Sequence, residues 1–222
     1  MAFGGNILLA AAGSSNLGGL DLVISSNTQD YNVLTAAIAI GYNNSEGEDV
    51  TITLTINQGV DVTSTSQSIP SLRTGALNAN TTLAITNNGN IEGIEGVSGG
   101  GGGQGGDGIY FETLTGGTAT HSIINSATGI ISGGGGGGGG GGQQQTFTDD
   151  DGSPTCGSPT YNGSTGGAGS VGQYGSSGSY GGGSSNCRTI TAGGGGSPGA
   201  ALVRNGRTIS VTNNGTINGS YT

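Results

Sequence analysis

The chain has 222 residues, of which 53 are glycine, and thirteen carboxylates stand against four arginines and no lysine for a formal net charge of −9. So much glycine excludes a long helical protein, because each glycine loses more conformational freedom on folding than any other residue and offers no side chain to bury. Uninterrupted glycine runs with only four prolines exclude collagen, and the scarcity of cations excludes binding along a nucleic-acid backbone and argues against an anionic membrane surface.

In chain order, the first feature is the apolar run Ile7–Ala12. It has no basic residues ahead of it and is too short to span a bilayer, so it reads as a structural or assembly segment rather than a secretion signal. Asp21–Ser25 and Thr35–Tyr42 are apolar segments, and Val50–Ile56 alternates as Val50, Ile52, Leu54 and Ile56 with threonines between. Period-two alternation with β-branched residues predicts a half-buried strand whose Thr51, Thr53 and Thr55 face outward. The Asn/Gly/acid-rich stretch 43–49 is a turn, Asn57–Gly59 is another, and Val60–Val62 is a further short strand. Leu34–Ile40 is alanine-rich and fits a two-turn helix as well as a strand. Nine glycines fall in residues 1–80 and forty-four in residues 81–222. The expectation is therefore a small antiparallel β domain over 1–80, followed by a glycine-rich module over 81–222.

That module repeats. Ile85–Gly93 (ITNNGNIEG) returns as Val211–Gly219 (VTNNGTING), with a looser and longer copy at Ile124–Gly133. Each copy reads as strand, Asn/Gly turn and strand, the grammar of a hairpin or of a solenoid rung. Two copies run into glycine tracts, 99–106 and 133–142, and further tracts lie at 163–183 in diluted form and at 193–196. Such a tract either stays a flexible linker or adopts the three-residue-per-turn polyglycine helix, whose bare backbone bonds sideways to its neighbours. Strand pairs recurring before each tract would return the tracts to one place, which favours a packed bundle.

Ser25–Asn32, the Val50–Ile56 strand, Thr74-Gly75 and the ITNNG-type repeat leading into polyglycine together resemble the glycine-rich tail fibre and tail-tip proteins, the distal adhesins, of tailed bacteriophages. The resemblance covers about residues 20–219. It implies a mainly β chain with a layered polyglycine bundle as scaffold, loops between the tracts as the contact surface, and attachment of the virion to a host surface as the function.

The chemical motifs are sparse. Polyglycine satisfies a dinucleotide fingerprint trivially but lacks its strand, helix and distal acid, and there is no lysine for a phosphate loop. His121 is the only histidine, without a nucleophile elbow or paired ligands, and reads as a loop or rung-edge residue. No cofactor is implied. Asp149, Asp150 and Asp151 are adjacent, so their carboxylates diverge; they read as a solvated charge run, with calcium as the alternative. Cys156 and Cys187 bracket a Ser/Gly/Tyr/Asn-rich segment, 156–187, and are candidates for a disulfide closing a loop; two free thiols in a reducing cytoplasm are the alternative. Phe147, Tyr161, Asn162, Tyr174 and Tyr180 are candidates for receptor contact, because tyrosine amid serine and glycine gives large contact area for little lost entropy. Tyrosines lying over glycine helices to shield them would have the same composition.

The expectation is thus a non-enzymatic virion component of the tail, assembled in the host cytoplasm. Its partners would be other tail or fibre proteins and a bacterial surface receptor, protein or glycan. A homotrimer is expected, and neither nucleic acid nor membrane insertion is. A capsid head fibre or decoration protein is the alternative within the same class, and an exported cell-surface structural protein is the alternative of another class.

Overall fold

The structure, a computed structural model, describes residues 19–44, 49–98, 102–113, 119–139, 166–178 and 193–222. Its elements are β1 (Leu20–Ile24), β2 (Thr28–Gln29), β3 (Tyr31–Asn32), α1 (Val33–Ala39), β4 (Thr51–Ile56), β5 (Asp61–Thr63), β6 (Leu72–Arg73), β7 (Thr82–Asn87), β8 (Asn90–Glu92), β9 (Ile109–Tyr110), β10 (His121–Asn125), β11 (Ile130–Ser132), β12 (Leu202–Val203), β13 (Ile209–Asn213) and β14 (Thr216–Asn218). They form three sheets: β1-β4-β7-β10-β13, then β2-β5-β8-β11-β14, then β3-β6-β9-β12. We call these sheets A, B and C. Each circuit of the chain lays one strand on each sheet, a three-sided parallel β-solenoid. In the last circuit, Tyr221 alone bridges to Leu202 in place of a third strand.

The register explains why the chain closes this way. Leu22 pairs with Leu54, Leu54 with Ile85, Ile85 with Ile123 and Ile123 with Val211, so one apolar rank runs the length of sheet A. Val62, Ile91, Ile131 and Ile217 make the matching rank of sheet B, and Leu72, Ile109 and Leu202 that of sheet C. These ranks meet in one core, in which Ile52, Leu54, Ile56, Leu83, Ile91 and Ile109 are fully buried. Burying each such side chain contributes about 1.5–3 kcal/mol. The helix α1 caps the first circuit: Asn32 Oδ1 accepts from Thr35 N–H at 3.1 Å, and Val33, Ala36 and Ala37 join the same core. The helix alternative for Leu34–Ile40 is therefore the one adopted.

The antiparallel expectation is corrected: among the described residues every ladder is parallel. Alternation reports only that a strand has one buried face; the direction of its neighbour depends on what lies between them. Here the intervening chain is long enough to cover two further faces before returning, so the repeat is a solenoid rung and not a hairpin. The composition change near Asn80 falls between β6 and β7, and β4 pairs with β7 across it. The looser repeat copy also begins one residue earlier than its sequence suggests. Ile123, buried, aligns with Ile85 and Val211, while Ile124 is exposed.

Candidate functional site

In the third and fourth circuits the chain does not pass directly from sheet B to sheet C. After β8 and β11 it leaves through residues 93–98 and 133–139, and it returns to β9 and β12 through 102–106 and 193–199. Residues 166–178 lie within the fourth excursion. The backbone hydrogen bonds among these segments advance in steps of three. Gly134 and Gly137 N–H donate to Gly106 and Gly103 C=O at 2.8 Å, and Gly136 and Gly139 donate to Gln173 and Ser176 at 2.9 Å. In turn, Gly166, Gly169 and Gly172 donate to Gly139, Gly136 and Gly133, while Gly196 and Gly199 donate to Gly137 and Gly134. With Gly96 N–H also donating to Gly135 C=O at 2.8 Å, segment 133–139 is enclosed by 93–98, 102–106, 193–199 and both arms of 166–178, and is buried throughout.

No side chain fits there. A Cβ on Gly134 would lie 1.9 Å from the Ile94 carbonyl oxygen, one on Gly136 1.9 Å from that of Gly196, and one on Gly137 2.1 Å from that of Val97. The glycines are required by close approach of backbone to backbone.

The far ends of these segments meet. Gly166 N–H bonds Gly139 C=O at 2.8 Å, Gly178 N–H bonds Gly193 C=O at 3.1 Å, and Gly102 N–H bonds Gly194 C=O at 2.8 Å. Gly138 N–H bonds Ser98 Oγ at 3.0 Å. The points at which the chain leaves for residues 99–101, 140–165 and 179–192, and returns from them, are therefore brought together at one end of the bundle. The solenoid stands at the other end.

Of the residues expected to contact a receptor, Tyr174 is described. It sits in 173–176, whose carbonyls bind the central segment, and its side chain is 72% exposed. Phe147, Tyr161, Asn162 and Tyr180, the pair Cys156 and Cys187, and Asp149, Asp150 and Asp151 lie outside the described residues. Among the described residues no cluster of three or more potential ligands could hold a metal ion, and no helix is long and apolar enough to cross a membrane.

His121 is not at a loop or rung edge. It opens β10 pointing inward and is 1% exposed, because its position continues the core rank of Leu20, Ile52 and Leu83. Its Nδ1 accepts from Leu83 N–H at 3.1 Å, and its Nε2 lies 2.8 Å from Arg207 Nη1. The Phe111 ring is 5.3 Å away, and Arg207 Nε donates to Glu112 C=O at 2.6 Å. Burial first, and the Arg207 charge second, lower its pKa to about 4. A neutral imidazole committed to a backbone amide and a buried guanidinium is structural.

The sequence reading also missed a ladder of asparagines. Asn87 Nδ2 donates to Asn125 Oδ1 at 2.9 Å, and Asn125 Nδ2 donates to Asn213 Oδ1 at 2.8 Å. Asn87 Oδ1 and Asn213 Oδ1 also receive the N–H of Gly89 and Gly215 at 3.2 Å. The signal was present as the repeated Asn-x-Gly, but it read as a turn. In circuits one and two the same rank holds Ile24 and Ile56. The change from isoleucine to asparagine comes at the circuit where the excursions begin.

A family model described as phage tail fibre adhesin Gp38 matches residues 20–222. Among solved structures, the crystal structure of the gp37-gp38 adhesin tip complex of the bacteriophage S16 long tail fibre is similar at a TM-score of 0.47 and 20% identity, over 92% of this chain and 82% of that one. No curated protein sequence matches significantly.

Proposed function

We propose, from the premise that this chain belongs to the phage tail fibre adhesin Gp38 family and is a receptor-binding structural component of the virion tail, that its two ends divide the work of attachment. The solenoid end, with its first circuits within residues 20–80, docks on the tail fibre, and the far end of the glycine bundle meets the bacterial surface. The observation that carries this reading is the convergence of the bases of 99–101, 140–165 and 179–192. Through them Phe147, Tyr161, Asn162 and Tyr180 are tethered to that end, and Tyr174 is exposed on the segment 166–178 that leads to it. These five residues form the receptor contact, by shape, hydrogen bonding and aromatic stacking.

The glycine segments are polyglycine helices. Three-residue steps in the hydrogen bonds and the absence of room for a Cβ anywhere along 133–139 support this. At roughly 3.1 Å per residue, the seven residues 133–139 hold the contact end about 20 Å from the solenoid. A rigid spacer of this kind presents loops without needing side chains to stiffen it, and the reading needs no catalytic group.

Cys156 and Cys187 fall in two of the tethered segments, and a disulfide between them would join two loops whose bases are already neighbours. A mass gain of two hydrogens on reduction of the purified protein is the expected result; no gain removes the staple. The acidic run 149–151 is a solvated part of the same surface, and calorimetric binding of calcium at millimolar concentration would reverse that assignment. A homotrimer is the oligomer expected of a fibre component, and a sedimentation mass equal to one 21.2 kDa chain would overturn it.

The test of the whole proposal is adsorption. Particles carrying Tyr161→Ala, Tyr174→Ala and Tyr180→Ala together should lose adsorption by at least about tenfold, the effect of about 1.4 kcal/mol. Unchanged adsorption would place the contact elsewhere.

A further inference from the structure

Sheet C carries a second concave surface, on the solenoid and away from the bundle's far end. Leu72 and Ile109 are fully buried, so their strand neighbours Arg73 and Tyr110, which pair in register, face outward. With Gln67 and Ser68 from the β5–β6 connection, Asp107 before β9 and Glu112 after it, they line a cleft of about 270 Å³. That lies near the lower end of the roughly 300–1,000 Å³ usual for small-molecule sites.

The lining is polar in a particular way. Arg73 offers a planar fork of donors, and its Nε is buried without a hydrogen-bond partner. An unsatisfied buried donor is costly, so a ligand acceptor brought against the guanidinium would recover a donor the fold does not use. Asp107 gives one carboxylate oxygen to Ala200 N–H at 2.8 Å and keeps the other. Gln67 Nε2 donates to Glu95 C=O at 3.0 Å, which leaves its amide oxygen as an acceptor. Tyr110 adds an aromatic ring and a hydroxyl.

We infer that this cleft binds one neutral sugar ring of a host surface glycan. Arg, Asp, Glu and Gln each present paired polar atoms that match adjacent hydroxyls, and a tyrosine ring packs against the apolar C–H face of a pyranose. One cation with two carboxylates opposes a phosphate or sulfate, and the guanidinium opposes a bare cation. A ligand rich in both donors and acceptors but without charge satisfies the whole set. The inference goes beyond the receptor contact at the far end and rests on the adhesin reading only for the source of the glycan.

The test uses the full-length protein with methyl glucoside, methyl galactoside and N-acetylglucosamine as probes, read by saturation-transfer NMR and calorimetry. At least one should bind with a Kd on the order of 1 mM. Arg73→Gln and Tyr110→Ala should each weaken it about tenfold, with the circular dichroism spectrum unchanged. Tyr174→Ala should leave it intact, and this separates the cleft from the bundle end. If Tyr110→Ala fails to fold, Arg73→Gln and Gln67→Ala carry the comparison. Competition by purified lipopolysaccharide or by capsular polysaccharide supports the site and shows which polymer supplies the ring. Failure of all three probes at concentrations on the order of 10 mM, or binding indifferent to Arg73 and Gln67, would overturn it, while loss of adsorption in the triple tyrosine variant would still leave the distal contact standing.

Discussion

At the scale of the residue, His121 shows how a group with catalytic credentials can be spent on the fold. Its Nδ1 accepts from an amide and its Nε2 faces a guanidinium, so a second ring proton, which Nδ1 would have to carry, would meet the Leu83 N–H donor beside a fixed positive charge. Its folded pKa, about 4, is below its usual value of 6.5, and it therefore takes up a proton in the unfolded chain first. Its contribution is present in full above about pH 6.5 and is lost as pH falls through about 4. The urea midpoint should accordingly drop between those values, and His121→Gln should flatten the drop. Burial raises the Asp107 carboxyl pKa and so acts with the opposite sign, which makes the comparison with the variant, not the raw curve, the decisive measurement. Sequence alone offers His121 no nucleophile elbow and no paired ligand spacing. It did not show the burial, because that depends on register with Leu83.

At the scale of the element, two devices hold circuits three to five together where apolar ranks thin out. The first is the asparagine ladder. Asn125 Nδ2 also reaches the carbonyls of Gly129 and Thr216 at 3.2 and 3.1 Å, and Asn87 reaches that of Ile130 at 3.0 Å. Asn125→Ile reproduces what Ile56 does two circuits earlier, yet here it takes away the partner shared by Asn87, Asn213 and the carbonyls of Gly129 and Thr216. A loss of about 1–3 kcal/mol per stranded group is expected in chemical denaturation. The second device is glycine itself, and it supplies its own control. Gly137→Ala sets a Cβ 2.1 Å from the Val97 carbonyl oxygen, whereas Gly194→Ala meets nothing within 4 Å. The first should abolish slow amide exchange across 133–139 and the second should preserve it; equal behaviour would mean that the bundle does not pack through these contacts. The tracts were legible as glycine runs, and so was their ability to pack. Which segment is central was not, because a run without side chains carries no pattern to orient it.

At the scale of the whole molecule, the five-circuit solenoid was only partly visible. Positions stacked on one another are 32 residues apart between Asp21 and Thr53, 38 between Asn87 and Asn125, and 88 between Asn125 and Asn213. Excursions of unequal length hide a constant structural period, so three circuits were recognisable by their Asn-Gly corners while the first two, cornered by isoleucine, read as a separate domain. On the proposed reading, those same excursions supply the receptor contact. The hydrogen bonds that close the bundle lie within 93–98, 102–106, 133–139, 166–178 and 193–199, and the chain departs from them into 140–165 and 179–192 at the bundle's far end. Replacing both by Gly/Ser linkers of equal length should therefore leave the strand signal in circular dichroism and the slow exchange of 133–139 unchanged, while adsorption falls by at least about tenfold. A replaced protein that no longer folds would make these segments part of the scaffold. One that folds and still adsorbs would move the receptor contact from the bundle's end to the flank of the solenoid, where Arg73 and Tyr110 lie.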